Sequence, residues 1–340
     1  MQRPIMDPTF MNDHEPVAKQ KQRKLWALAK AVMKLGKILL IDPFSRPQRL
    51  RIEDGRPWQR FVRGFIYRLA LVPVLLVIFL TLLVLAATHP GRTTVGADPL
   101  AYGMYFDPIS FLAEDNVKVE GWLVPAVDAR RVIEEGEATL QKKYPAMVLV
   151  HDFAASRQQL LPLVRPLHDR GFVVLVLALR GSGALTSDAQ TFGLNEALDV
   201  KAAVEMLRRR AFVDASKIGV LGTGTGANAA LLAARKDPGI AALVISNPID
   251  GFDEAFARRV GSDHKWLPPL RTLFRWTFSV MYSADTEDLR LKNFKELIAT
   301  RPVLVMDSRR ELMTPSSIRD VQTFLAARMA LPEAMAASGN

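Results

Sequence analysis

The 340-residue chain has no cysteine, five histidines with none after His264, and a single long run without charge. Without cysteine there is no disulfide framework; a domain of this size does not need one outside the cytoplasm, so the absence assigns no compartment. The histidines, at positions 14, 89, 151, 168 and 264, are scattered, so no metal site is indicated and no cofactor is implied. Acidic residues are scarce at one end. Residues 1–64 hold 14 Lys and Arg against 6 Asp and Glu, which accounts for 8 of the net charge of +10. The basic balance therefore reports topology, and no nucleic-acid partner is expected.

The uncharged run is Leu69 to Ala87, LALVPVLLVIFLTLLVLAA. At about 1.5 Å per residue its 19 residues cover the ~30 Å hydrocarbon core of a bilayer. It lies too far along the chain and is too long for the apolar region of a signal peptide, and Thr88-His89-Pro90 offers no small-x-small cleavage site. It reads as a signal anchor over 65–88. The basic surplus ahead of it puts the N-terminus in the cytoplasm and the bulk of the chain outside, in a single-pass arrangement at the cell membrane.

Ahead of the span, residues 1–16 read as disordered. Over 17–41, Leu25, Leu28, Val32, Leu35 and Leu39 share one helical face opposite Arg23, Lys30, Lys34 and Lys37. That face suits the anionic inner leaflet, with a docked partner protein or a solvated basic face as the other readings. Residues 89–104, rich in Gly, Pro and Thr, read as a tether, and a folded domain is expected over 105–340.

The domain begins with two strands within Phe106 to Ala126. Strands then alternate with helices: strand 146–150, helix 157–170, strand 172–178, helix 194–210, strand 218–221, helix 227–235, strand 241–246, strand 302–306 and helix 316–327, with a last short strand at 328–331. Such alternation predicts an α/β fold with a doubly wound, mainly parallel sheet. Residues 248–300 interrupt it with a helical insert carrying Trp266, Phe274, Trp276, Phe278 and Tyr282. The insert reads either as a cap over the mouth of a site or as a helical layer with an ordinary aromatic core.

The domain is organised around KIGVLGTGTGANAALLAA, Lys217 to Ala234, a buried strand that turns through glycines into a small-residue helix. Gly222, Gly224 and Ala227 satisfy the dinucleotide pattern G-x-G-x-x-[GA], but the acidic residue which that pattern needs about 20 positions on is missing, since the next strand ends at Asn247. Gly222 and Gly226 also match the flanking glycines of the nucleophile elbow G-x-S-x-G, with Gly224 where serine would stand.

Order and spacing favour the elbow. The hairpin SFLAEDNVKVEGWLVPA, the segment VLVHDFAASRQQLLPLVRPLHDRGF and the segment VLVLALRGSGAL resemble successive motifs of the α/β-hydrolase superfamily, specifically of serine-aminopeptidase-like and prolyl-oligopeptidase-like hydrolases. The resemblance covers about 105–336. It implies an α/β-hydrolase fold, with His151 and Asp152 in place of the usual His-Gly pair, and with Ala178 replacing an aspartate ahead of Arg180, Gly181 and Gly183. It implies an acid position at Glu311, counted back from Pro315, and a histidine position occupied by Ala336. Gly224 and Ala336 thus leave the triad without nucleophile and base. The oxyanion hole implied by the resemblance consists of the backbone N–H groups of Phe153 and Thr225.

Serine hydrolysis needs a hydroxyl, a base to take its proton and a carboxylate to orient the base. Thr223 and Thr225 flank the turn and are expected to bond local backbone. His151 is expected to be structural. The expectation is a membrane-anchored pseudoenzyme whose domain binds a small acyl or carboxylate ligand, or a protein. A hydrolase with a non-standard nucleophile and a membrane-tethered scaffold are the other classes.

Overall fold

In a computed structural model of the chain the described residues are Lys30, 57–89, 96–127, 132–133, 136–182, 188–260, 268–306 and 312–329. Apart from Lys30, the helix expected at 17–41 lies outside them, as do Gly183, His264, Trp266, Glu311 and Ala336.

The chain divides into two units, one ending at Thr81 and one beginning at Leu82. The first contains most of helix α1, Pro57–Thr88. Residues Gly64–Thr88 of this helix are long and apolar enough to cross a membrane. The last seven residues of α1, 82–88, belong to the second unit, where Val84, Ala87 and Thr88 are buried.

The second unit is built on a seven-stranded sheet of order β1-β2-β4-β3-β5-β6-β7. Its strands are β1 (Asp107–Leu112), β2 (Lys118–Val124), β3 (Tyr144–Val150), β4 (Val173–Ala178), β5 (Val213–Thr223), β6 (Ala242–Ser246) and β7 (Val303–Met306). The β1–β2 and β2–β4 pairs are antiparallel and the other four pairs parallel. The central strands β3, β4 and β6 are buried along their whole length, which is why they read as continuous apolar runs instead of alternating ones.

Helices α2 (Leu161–His168), α3 (Glu196–Arg208) and α4 (Thr225–Lys236) connect the parallel strands, and α8 (Pro315–Met329) follows β7. One core joins Met147 and Leu149 of β3 to Leu163, Val164 and Leu167 of α2 and Val321, Leu325 and Met329 of α8. The strand expected at 328–331 is corrected over Arg328 and Met329, which remain in α8. The reason is the four-residue spacing of Val321, Leu325 and Met329, which keeps Met329 on the buried face of a continuing helix.

The stretch expected as a tether is ordered over 96–104. Asp98 caps a 3-10 turn (Pro99–Tyr102) by accepting from the N–H groups of Leu100 and Ala101, and Met104 enters the core. Between β6 and β7 the insert forms α5 (Phe252–Val260), α6 (Pro268–Tyr282), two 3-10 turns and α7 (Lys295–Thr300). Its phenylalanines 252, 256, 274 and 278 form one cluster, with ring centroids 4.3–6.4 Å apart. The cluster extends through Phe192, a fully buried ring stacked on Phe278 at 5.8 Å.

Candidate functional site

β5 ends at Thr223 and α4 begins at Thr225, so Gly224 alone makes the turn. Its φ of 57° and ψ of −121° would cost a side-chain-bearing residue about 1–3 kcal/mol. Gly224 N donates to Ser246 O at 3.0 Å, which fixes the turn to the end of β6. Gly226 has a second constraint: a β-carbon there would run into the carbonyl oxygens of Val150 and His151, so α4 approaches the end of β3 backbone to backbone.

The space that a side chain on Gly224 would occupy is already filled. A β-carbon on Gly224 would collide with all three carboxyl atoms of Asp152. Asp152 Oδ1 accepts from Phe153 N at 2.7 Å and from Thr225 N at 2.8 Å. These are the two N–H groups expected to form the oxyanion hole. The fold brings them together, and the chain's own carboxylate takes both. An N–H bond to a charged acceptor contributes about 1.5–3 kcal/mol, and Thr225 opens a helix, where the dipole adds a favourable field for an anion. Both donors are thus taken by the side chain of Asp152, which stands where the resemblance implies a glycine.

Around Asp152 the loop is held on both sides. Asp152 N donates to Gln159 Oε1 at 3.1 Å, and Ala154 N, at a residue with φ of 56°, donates to Gln190 Oε1 at 3.0 Å. Gln190 N in turn donates to Thr88 O at 2.8 Å, so the end of α1 and the Asp152 loop share one glutamine. The hydroxyls of Thr88 and Tyr282 lie 2.7 Å apart, and Arg259 Nε donates to Ala87 O at 3.2 Å. Phe153 stacks on Phe192 at 5.3 Å, which joins the loop to the insert's aromatic cluster. Phe192 has φ of 60°, a conformation secured by Glu196, whose carboxylate accepts from Thr191 N, Thr191 Oγ1 and Gly193 N.

His151 is wholly buried. Its Nδ1 donates to Asp152 O at 2.7 Å, and its Nε2 accepts from Leu179 N at 3.2 Å and lies 3.0 Å from Ser182 Oγ. Burial pulls its pKa down to about 4, so it is neutral at physiological pH and ties β3 to β4. Ser182 gives its hydroxyl proton to Leu179 O at 2.5 Å and has none left for the imidazole. Thr223 and Thr225 are buried.

Arg180 connects the same ends of the sheet to the first hairpin. It donates to Asp199 through Nε at 3.1 Å and Nη2 at 2.6 Å, and to Asp115 through Nη1 at 2.5 Å. Burial pushes Asp199 up to about 6 against the pull of the guanidinium. The sequence had singled out Arg180 and Asp152; Gln190, Glu196 and Ser182 escaped it, because most of their partners are backbone groups of loops.

The glycine at the apex of this strand-to-helix turn thus stands beside a carboxylate seated on the N–H groups of Phe153 and Thr225. Residues 157–249 match the prolyl oligopeptidase family. The esterase Pf2001 of Pyrococcus furiosus is 21% identical, with a TM-score of 0.53 over 71% of this chain and 98% of that one. The chain has the α/β-hydrolase fold. It is also 31% identical over 162 residues to an uncharacterized protein of Mycobacterium tuberculosis, covering 47% of this chain and 50% of that one. To the uncharacterized protein YfhR of Salmonella typhimurium it is 28% identical over 145 residues, covering 43% and 44%. The chain spans about half the length of these relatives.

Proposed function

We propose that this protein is a catalytically inactive α/β hydrolase, anchored by one span with its N-terminus in the cytoplasm, whose external domain serves in binding or interaction. The observation that carries the reading is the Asp152 carboxylate, which holds both N–H groups expected to form an oxyanion hole and fills the volume beside Gly224. An acyl substrate would need that volume for its carbonyl and those donors for its oxyanion. Supporting it, the described hydroxyls nearest the turn are buried or bonded, and His151 is committed at both ring nitrogens. Any small carboxylate or acyl ligand is in this reading a competitor of Asp152, and a protein partner is the simpler one.

The test is exposure of the whole detergent-solubilised protein to a fluorophosphonate probe and to a panel of activated esters and aminoacyl anilides. No covalent label and no turnover above heat-denatured protein is the expected result. Saturable turnover together with a labelled hydroxyl would overturn the reading.

A further inference from the structure

Helix α6 buries one face and leaves another bare. Phe274 and Phe278 point into the aromatic cluster, while Leu273, Trp276 and Val280 form an exposed stripe at helical spacing, with Trp276 63% and Val280 60% accessible. Over Pro268–Tyr282 there is no acidic residue, and the two basic ones, Arg271 and Arg275, pair with Asp253 and Glu287 of neighbouring elements. An exposed Trp, Leu and Val face on a helix without an acidic residue has the composition of a helix lying at a lipid surface.

Its position points to the same partner. The C-terminal residue of α6, Tyr282, meets Thr88 hydroxyl to hydroxyl, and Val280 is two residues away. Thr88 is the last residue of α1, and the 20 residues after Arg68 span about 30 Å, one hydrocarbon thickness. If α1 crosses a bilayer, Thr88 stands at its outer boundary, and Tyr282 and Val280 stand there with it. Leu82–Ala87 are at once part of the apolar run and part of the domain, so no spacer separates the domain from the lipid.

We propose that α6 lies in the headgroup region of the outer leaflet, with Leu273, Trp276 and Val280 in contact with lipid. The inference rests on the reading that α1 spans a membrane. It makes the insert a second membrane contact.

The chain's lack of cysteine permits a direct test. Single variants Val280→Cys, Trp276→Cys, Leu140→Cys and Val77→Cys of the whole protein, reconstituted in phosphatidylcholine–phosphatidylglycerol vesicles, are spin-labelled and probed for collision with oxygen and with a water-soluble nickel chelate. All four side chains are exposed, and Leu140 precedes β3 at the opposite end of the sheet. The expected result is an oxygen-to-nickel collision ratio at 280 and 276 several-fold above that at 140 and close to that at 77. Water-like ratios at 280 and 276 with a lipid-like ratio at 77 would overturn the proposal and leave the anchor standing. Shielding of 280 and 276 from both reagents would overturn it in favour of a protein partner or a second copy. A water-like ratio at 77 would remove the span and the proposal together.

Discussion

Removing the Asp152 carboxylate tests the central feature of the site. Asp152→Ala takes away the acceptor of Phe153 N and Thr225 N and leaves a volume about the size of a carboxylate between them. Two bonds to a charged acceptor, offset by water reaching the half-buried donors, give a net loss of about 2–3 kcal/mol. For a domain of this size each kcal/mol lowers Tm by about 2–4 °C, so a fall of ~5–10 °C is expected by near-ultraviolet circular dichroism. The vacated hole should then accept the missing group from solution: a tenfold excess of formate or acetate over its Kd would restore about 1.4 kcal/mol. Chloride at the same ionic strength is the control. Tm of the variant should rise with formate while the wild type stays level. If Asp152→Ala is as stable as the wild type, or formate raises both proteins alike, the carboxylate is not what occupies the donors and the argument fails.

Gly224→Ser should be more damaging than its size suggests, because it adds a β-carbon where Asp152 sits and imposes a strained φ; pairing it with Asp152→Gly should recover about 1–3 kcal/mol in a double-mutant cycle by chemical denaturation. His151→Asn should flatten the acid side of the stability profile. The folded imidazole has its pKa lowered by burial to about 4, below the ordinary 6.5, so the unfolded chain binds more protons between these values. Stability therefore falls as pH drops from about 6.5 to 4, by about 3 kcal/mol from this residue, and the difference between wild type and variant across that window isolates it. Arg180→Met strands the buried Asp199 and should cost about 3–5 kcal/mol, seen as a lowered denaturation midpoint at neutral pH.

The sheet was legible because β3, β4 and β6 are covered on both faces, and such strands are written as unbroken Val, Leu and Ile runs. The turn at Gly224 was legible for a related reason, since close backbone approach and a positive φ admit few residues besides glycine. The role of Asp152 was not. Its presence in a glycine position could be read, but its acceptance of Thr225 N joins residues 73 apart, and only the folded sheet brings them together. Residues 96–104 read as a tether because Pro and Gly are common to linkers and to tight turns alike. What separates the two here is Asp98 capping its turn and Met104 reaching the core. Glu311 and Ala336 rest on motif spacing alone.

The bond from Gln190 N to Thr88 O bears on how the domain should be prepared. The same glutamine accepts from Ala154 N, two residues beyond Asp152, and the Thr88 hydroxyl meets that of Tyr282 in the insert. A soluble version cut after α1 would lose Thr88, the buried Val84 and the carbonyl of Ala87 that Arg259 holds. Such a truncation exposes Gln190 and frees one end of the loop that seats the carboxylate. Measurements on a clipped domain would therefore describe a looser loop than the one in the intact chain, because residues 82–88 are as much a part of the site's scaffold as the sheet.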